Sequence, residues 1–185
     1  IDYYSHIWYY ASGRNENNQR LNPVHDLWDN NVEVWKNGEY FTELITKKSM
    51  EYLHSSIQKS NPFFLYIPYN APHYPMHAPQ KYVDRYPDLP WDKQIMAAMI
   101  SAVDDSVGEI ITFLKKNNLF ENTIIMFTSD NGPSRETRNW LDGTLDPYYG
   151  GTSGQLKGHK FSLFDGGIKV PNIISFPNKI SGNWV

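Results

Sequence analysis

The sequence predicts an α/β fold with a mainly parallel sheet flanked by helices. Two stretches carry apolar residues at helical spacing, and three short runs are apolar without alternation, as strands buried on both faces are. Their order is helix, strand, helix, strand, long loop, strand, and that alternation places a parallel sheet beneath covering helices. With 185 residues, 40% hydrophobic and 20% charged, the chain is long enough to bury a core.

Residues 1–40 are polar and aromatic with little periodicity. They read as loop, with a hairpin expected in "EVWKNGEY" (33–40), where Asn37-Gly38 is a strong turn signal. Phe41, Leu44, Ile45, Ser49, Leu53 and Ile57 then recur at helical spacing, with Thr42 as a cap, and the helix ends near Ser60 ahead of Pro62. "FFLYIPY" (63–69) is the first apolar run, bounded by prolines. A proline-rich loop leads to a second helix from about Asp92 to Asn118, striped by Ile95, Met99, Val103, Val107, Ile110, Ile111 and Leu114. "TIIMFTS" (123–129) and "VPNIISF" (170–176) are the later strands, separated by a long Gly/Ser/Asp-rich loop reaching about Lys160.

Composition excludes several roles. A net charge of −3 without a Lys/Arg-rich run leaves no electrostatic footprint for nucleic acid. No apolar stretch reaches the ~18 residues of a membrane span, and the first residues do not read as a signal peptide. The absence of cysteine excludes disulfides, thiolate zinc sites and cysteine nucleophiles within this chain. The 13 tyrosines and 6 tryptophans could stack on sugars or serve as ordinary core and surface aromatics. Both ends read as cuts, and residues 1–185 are expected to be a single, incomplete domain.

Chemistry in such sheets gathers beyond the carboxyl ends of the strands, so the loops carrying His73 and Asp130-Asn131 are expected on one rim. Asp130 and Asn131 offer hard oxygens suited to calcium or magnesium, with Gly132 permitting a sharp turn. Asp, Asn and Gly are also the commonest turn formers, so these letters alone allow either reading. Prolines 72, 75 and 79 stiffen the loop around His73, whose imidazole could donate to an anionic oxygen or a leaving group; His77 competes for that role. In "LKGHKFSLFDGG" the ammonium of Lys160 could meet an anion, with Lys157, His159 and Lys169 nearby, and Gly166-Gly167 suggests close backbone approach. A hard cation, an imidazole and an ammonium on one rim would suit hydrolysis of a sulfate or phosphate ester.

"PFFLYIPYNAPHYPMHAPQKY", "MISAVDDSVGEIITFLKKNNLFENT", "SDNG" and "GHKFSLFDGGIKVP", in this order, resemble the sulfatase family, and "DYYSH" and "HDLWDNNVEVWKNGEY" resemble its arylsulfatase branch. The resemblance implies an alkaline-phosphatase-like domain that hydrolyses sulfate esters of aryl or carbohydrate substrates. It implies calcium held by Asp130 and Asn131, with His73 and Lys160 as catalytic residues at the sulfate. Arg138, Trp140 and His159 are the expected substrate-binding residues, Arg for acidic groups and Trp for a sugar face. The family's formylglycine arises in a C/S-x-P-x-R motif that this chain lacks, so the nucleophile is expected upstream and this fragment alone is expected to be inactive. A phosphatase or phosphonate hydrolase of the same superfamily, or a non-catalytic module binding sulfated glycans, are the alternatives. Export to the periplasm, lysosome or exterior follows from the resemblance, and an exposed sheet edge is expected to promote self-association.

Overall fold

The computed structural model describes residues 27–36, 38–59, 61–73, 76–135 and 150–180. They form two compact units, one of the described residues up to Ser106 and one from Val107 onward.

In the first unit, β1 (Trp28–Asp29) and β2 (Val32–Glu33) pair antiparallel. The hairpin therefore turns at Asn30-Asn31, rather than at the expected Asn37-Gly38. Asn30 takes φ 56°, a left-handed conformation that asparagine accepts more readily than most side chains. Gly38, at φ 82°, serves a different turn, in which the Glu39 amide donates to the Lys36 carbonyl at 3.1 Å just ahead of the first helix.

That helix, α1, spans Phe41–Lys59. Thr42 is not its cap: it lies inside the first turn, buried, and its carbonyl accepts the Thr46 hydroxyl at 2.8 Å. Ser49 donates likewise to the Ile45 carbonyl, so the hydroxyls on the buried face bond to their own helix while Leu44 and Leu53 fill the core. A single turn, α2 (Gln80–Val83), buries Tyr82. The longest helix, α3 (Trp91–Lys116), contributes Ile95, Met99 and Val103 of its apolar stripe to this core, together with Ala98 and Ala102. Past α2, Arg85 forks onto both carboxylate oxygens of Asp105 at 3.1 and 2.7 Å.

The segment Phe63–Tyr69 departs from expectation. It is not a strand buried on both faces. Burial alternates along it, with Phe63, Leu65 and Ile67 half-buried but Phe64 86% and Tyr66 76% exposed. No strand among the described residues pairs with it. It is tied to α1 instead, by the Tyr52 hydroxyl on the Phe64 carbonyl at 3.3 Å and by a Thr46–Tyr69 hydroxyl contact at 2.9 Å. One face thus lies covered and the other stays open.

In the second unit Phe113 and Leu114, near the end of α3, are buried. The helix closes with Asn118 at φ 57° and the Leu119 amide on the Leu114 carbonyl at 2.9 Å, a left-handed stop. A 3₁₀ turn (Phe120–Asn122) leads to β3 (Ile125–Thr128), which pairs with β4 (Asn172–Ser175).

That pairing is antiparallel, from Ile125↔Ser175 to Thr128↔Asn172, so the expected parallel arrangement is not what these two strands adopt. Parallel neighbours need a crossover that carries the chain back to the start of the first strand. Here the Gly132 amide donates to the Gly167 carbonyl at 2.9 Å, which brings the chain to β4 beside the end of β3. From that point it can only run back. Nor are these strands buried on both faces, because Met126 and Ile173 are each 63% exposed.

Candidate functional site

The second unit builds its site where β3 ends. Beyond Thr128 the chain bends through Ser129–Gly132, with the Ser129 hydroxyl donating to the Asn131 carbonyl at 3.0 Å. Asn131 Nδ2 donates to the Gly132 carbonyl at 2.9 Å, which leaves Oδ1 as its acceptor atom. The exposed Asp130 carboxylate makes no hydrogen bond or ion pair among the described residues. An unpaired carboxylate next to an amide oxygen suits a hard cation.

Gly132 matters for space rather than for the turn, because its φ is not positive. A Cβ there would collide with the Gly166 carbonyl. The Gly166 amide donates to Lys157 O at 2.7 Å, and a Cβ on Gly166 would overlap the carbonyls of Lys157 and Gly158. At Gly167 a Cβ would meet the carbonyls of Ser162 and His159. The close approach expected of Gly166-Gly167 is therefore present, and the one-turn helix α4 (Asp165–Ile168) carries both glycines.

This stacking fixes Lys160. Its amide donates to the Pro133 carbonyl at 2.9 Å, so the segment bearing Lys160 is tied two residues beyond Asn131. Lys160 Nζ lies 5.2 Å from the centre of the Phe161 ring. The other cations of the loop are engaged elsewhere: Lys157 Nζ sits 4.0 Å above Phe164, and Lys169 pairs with Asp165 at 2.9 Å. They do not crowd toward one anion as their sequence spacing suggests. Half-buried His159 adjoins Lys160, and its carbonyl accepts the Ser162 amide at 2.9 Å.

His73 belongs to the first unit, half-buried, with its amide on the Asn70 carbonyl at 2.8 Å. Burial holds the imidazole of its competitor His77 below the ordinary value, which makes His77 a poor cation at neutral pH. Arg138 and Trp140 lie outside the described residues.

For a metal, the turn beyond β3 offers the Asp130 carboxylate and the Asn131 amide oxygen. Among the described residues no group of three or more His, Asp or Glu side chains gathers around a point. Calcium takes about 6–8 oxygens, so Asp130 and Asn131 fit as part of a coordination sphere. Two features escaped the sequence reading: the Pro133–Lys160 backbone bond and the conformation of Phe161. A large residue where the turn in "GHKFS" calls for glycine would have signalled the latter.

The family model described as Sulfatase matches residues 2–183. This chain belongs to the sulfatase family. It is 30% identical over 156 residues to arylsulfatase J of Mus musculus, which covers 83% of this chain and 24% of that protein. It is also 30% identical over 151 residues to N-acetylgalactosamine-6-O-sulfatase of Bacteroides thetaiotaomicron, covering 81% of this chain and 28% of that protein. Among solved structures, Ps i-CgsB in complex with k-i-k-neocarrahexaose superposes with a TM-score of 0.65 at 34% identity, over 80% of this chain and 30% of the other. The chain thus spans about a quarter of the length of the curated relatives it matches, and the alkaline-phosphatase-like α/β fold follows from the family. Among the described residues no helix is long and apolar enough to cross a membrane.

Proposed function

We propose that the chain forms the trailing part of the active site of a sulfate ester hydrolase, acting on aryl or carbohydrate sulfates. The observation that supports this best is the Lys160–Pro133 backbone bond, which joins the segment bearing an ammonium to the one bearing Asp130 and Asn131. Asp130 and Asn131 hold calcium by their side-chain oxygens. Lys160 binds the sulfate oxygens as a point charge, and His73 binds sulfate or protonates the leaving oxygen. Arg138, Trp140 and His159 select the substrate. Calcium supplies positive charge, and a formylglycine contributed by polypeptide outside residues 1–185 supplies the nucleophile.

In this reading both units are parts of one domain with a mainly parallel sheet, and the protein is exported. The names N-acetylgalactosamine-6-O-sulfatase and neocarrahexaose among the relatives support a sulfated sugar as substrate. The exposed Phe64 and Tyr66 side chains, in a segment that no strand among the described residues pairs with, support self-association.

The test is release of inorganic sulfate from 4-nitrophenyl sulfate by the protein isolated from its own cell, with calcium and then with a chelator. Calcium-dependent release that falls about 100-fold or more in Lys160→Ala is expected. Release of phosphate from 4-nitrophenyl phosphate without release of sulfate would point to a phosphatase. Calcium-independent binding of a sulfated sugar without turnover would point to a binding module.

A further inference from the structure

Phe161 carries a strain that its neighbours do not explain. It is the third residue of the turn His159–Ser162, closed by the Ser162 amide on the His159 carbonyl at 2.9 Å, and it takes φ 71°. That is the position glycine fills in a type II turn, because a side chain there crowds the following carbonyl. A bulky residue at positive φ is an outlier, and such strain persists where something other than folding requires it. Burial offers no repayment, since Phe161 is 81% exposed. What the conformation does achieve is placement. It sets an open aromatic face beside the Lys160 ammonium, whose nitrogen lies 5.2 Å from the ring centre.

We propose that Phe161 is a substrate-contact residue that selects sulfate esters carried on a ring. This rests on the sulfatase reading of the Lys160 site. With the sulfate held by the Lys160 ammonium, the ring that bears it, aryl or sugar, lies against the exposed Phe161 face. The strained turn keeps cation and face together. The contact favours cyclic esters over inorganic sulfate or an acyclic alkyl sulfate, which have no ring to stack.

The test compares the wild type with Phe161→Gly and Phe161→Leu. Glycine relieves the turn, so Tm is expected to rise by about 2–4 °C, which also shows that the variant folds. Its Kd for 4-nitrophenyl sulfate is expected to rise about three- to tenfold, with that for inorganic sulfate unchanged. Phe161→Leu keeps the strain and loses the flat face, so it should lose the same affinity at the wild-type Tm. A lower Tm in Phe161→Gly, an unchanged Kd for 4-nitrophenyl sulfate, equal losses for both anions, or a wild type that binds neither would each overturn the proposal. Hydrolysis is scored separately on the wild type: binding with this selectivity but without turnover defeats the sulfatase reading and leaves the Phe161 contact standing.

Discussion

Phe63–Tyr69 and Thr123–Ser129 look alike in sequence, each an apolar run without alternation, yet they end in different states. The second contains β3 and is paired residue for residue with β4. The first has no strand partner among the described residues and leaves Phe64 and Tyr66 in solvent. The difference lies outside both runs. Beyond β3, three glycines allow the chain to fold back on its own backbone and deliver β4 to the right place. No glycine follows Tyr69 until Gly108. An apolar run declares a tendency to be a strand, and the return of the chain decides whether it becomes one.

The largest effect is expected where that return is tightest. Gly132→Ala forces a Cβ into the Gly166 carbonyl and should cost about 3 kcal/mol or more, read as a drop in the denaturant midpoint. Gly108→Ala in α3, where a Cβ meets nothing within 4 Å, should instead gain up to about 1 kcal/mol. Equal responses at the two glycines would break the contrast between crowded return and open helix.

Next is Tyr40 in the first unit, whose phenol burial pushes up to about 12, with nearby Tyr82 and Glu43 adding to the rise. Because the folded value exceeds the ordinary one near 10, the stabilisation is full below pH 10 and is lost as pH climbs toward 12. The loss is on the order of 2–3 kcal/mol. Tyr40→Phe should flatten that fall, measured by urea melts across the window; an unchanged slope would contradict it.

Phe64→Lys probes the open face of Phe63–Tyr69. Stability should shift by no more than about 0.5 kcal/mol, since the side chain is already exposed. Self-association in sedimentation runs should fall, because a charge on the open apolar face opposes its burial against a second copy. A large loss of stability would mean that the face is covered after all. Smallest of all is Lys169→Ala, which removes an exposed pair with Asp165 and should cost about 0.5 kcal/mol or less.

Both long helices were legible from the spacing of Leu44, Leu53, Ile95, Met99 and Val103, because helix periodicity is set by neighbours in the chain. The antiparallel pairing of β3 with β4 was not. It depends on where Gly167 meets Gly132, 35 residues apart in sequence, and no local pattern encodes that distance. The hairpin was assigned to Asn37-Gly38 on glycine's conformational freedom, but Asn30 reaches a left-handed conformation too. The hard oxygens of Asp130 and Asn131 and the charge of Lys160 are properties of residue type that the sequence carries. Their attachment through Pro133 is not, because it is a backbone bond that any residue could make.

The most direct test is residue-resolved hydrogen exchange on the 185-residue protein at low concentration. The frame that holds Asp130, Asn131 and Lys160 is complete within the second unit, so the amides of Gly132, Lys160, Gly166 and Gly167 should exchange slowly, each having a backbone partner. Those of Phe64, Leu65 and Tyr66 should exchange fast. Rapid exchange at Gly132 and Lys160, or protection at Phe64–Tyr66 without association, would contradict it.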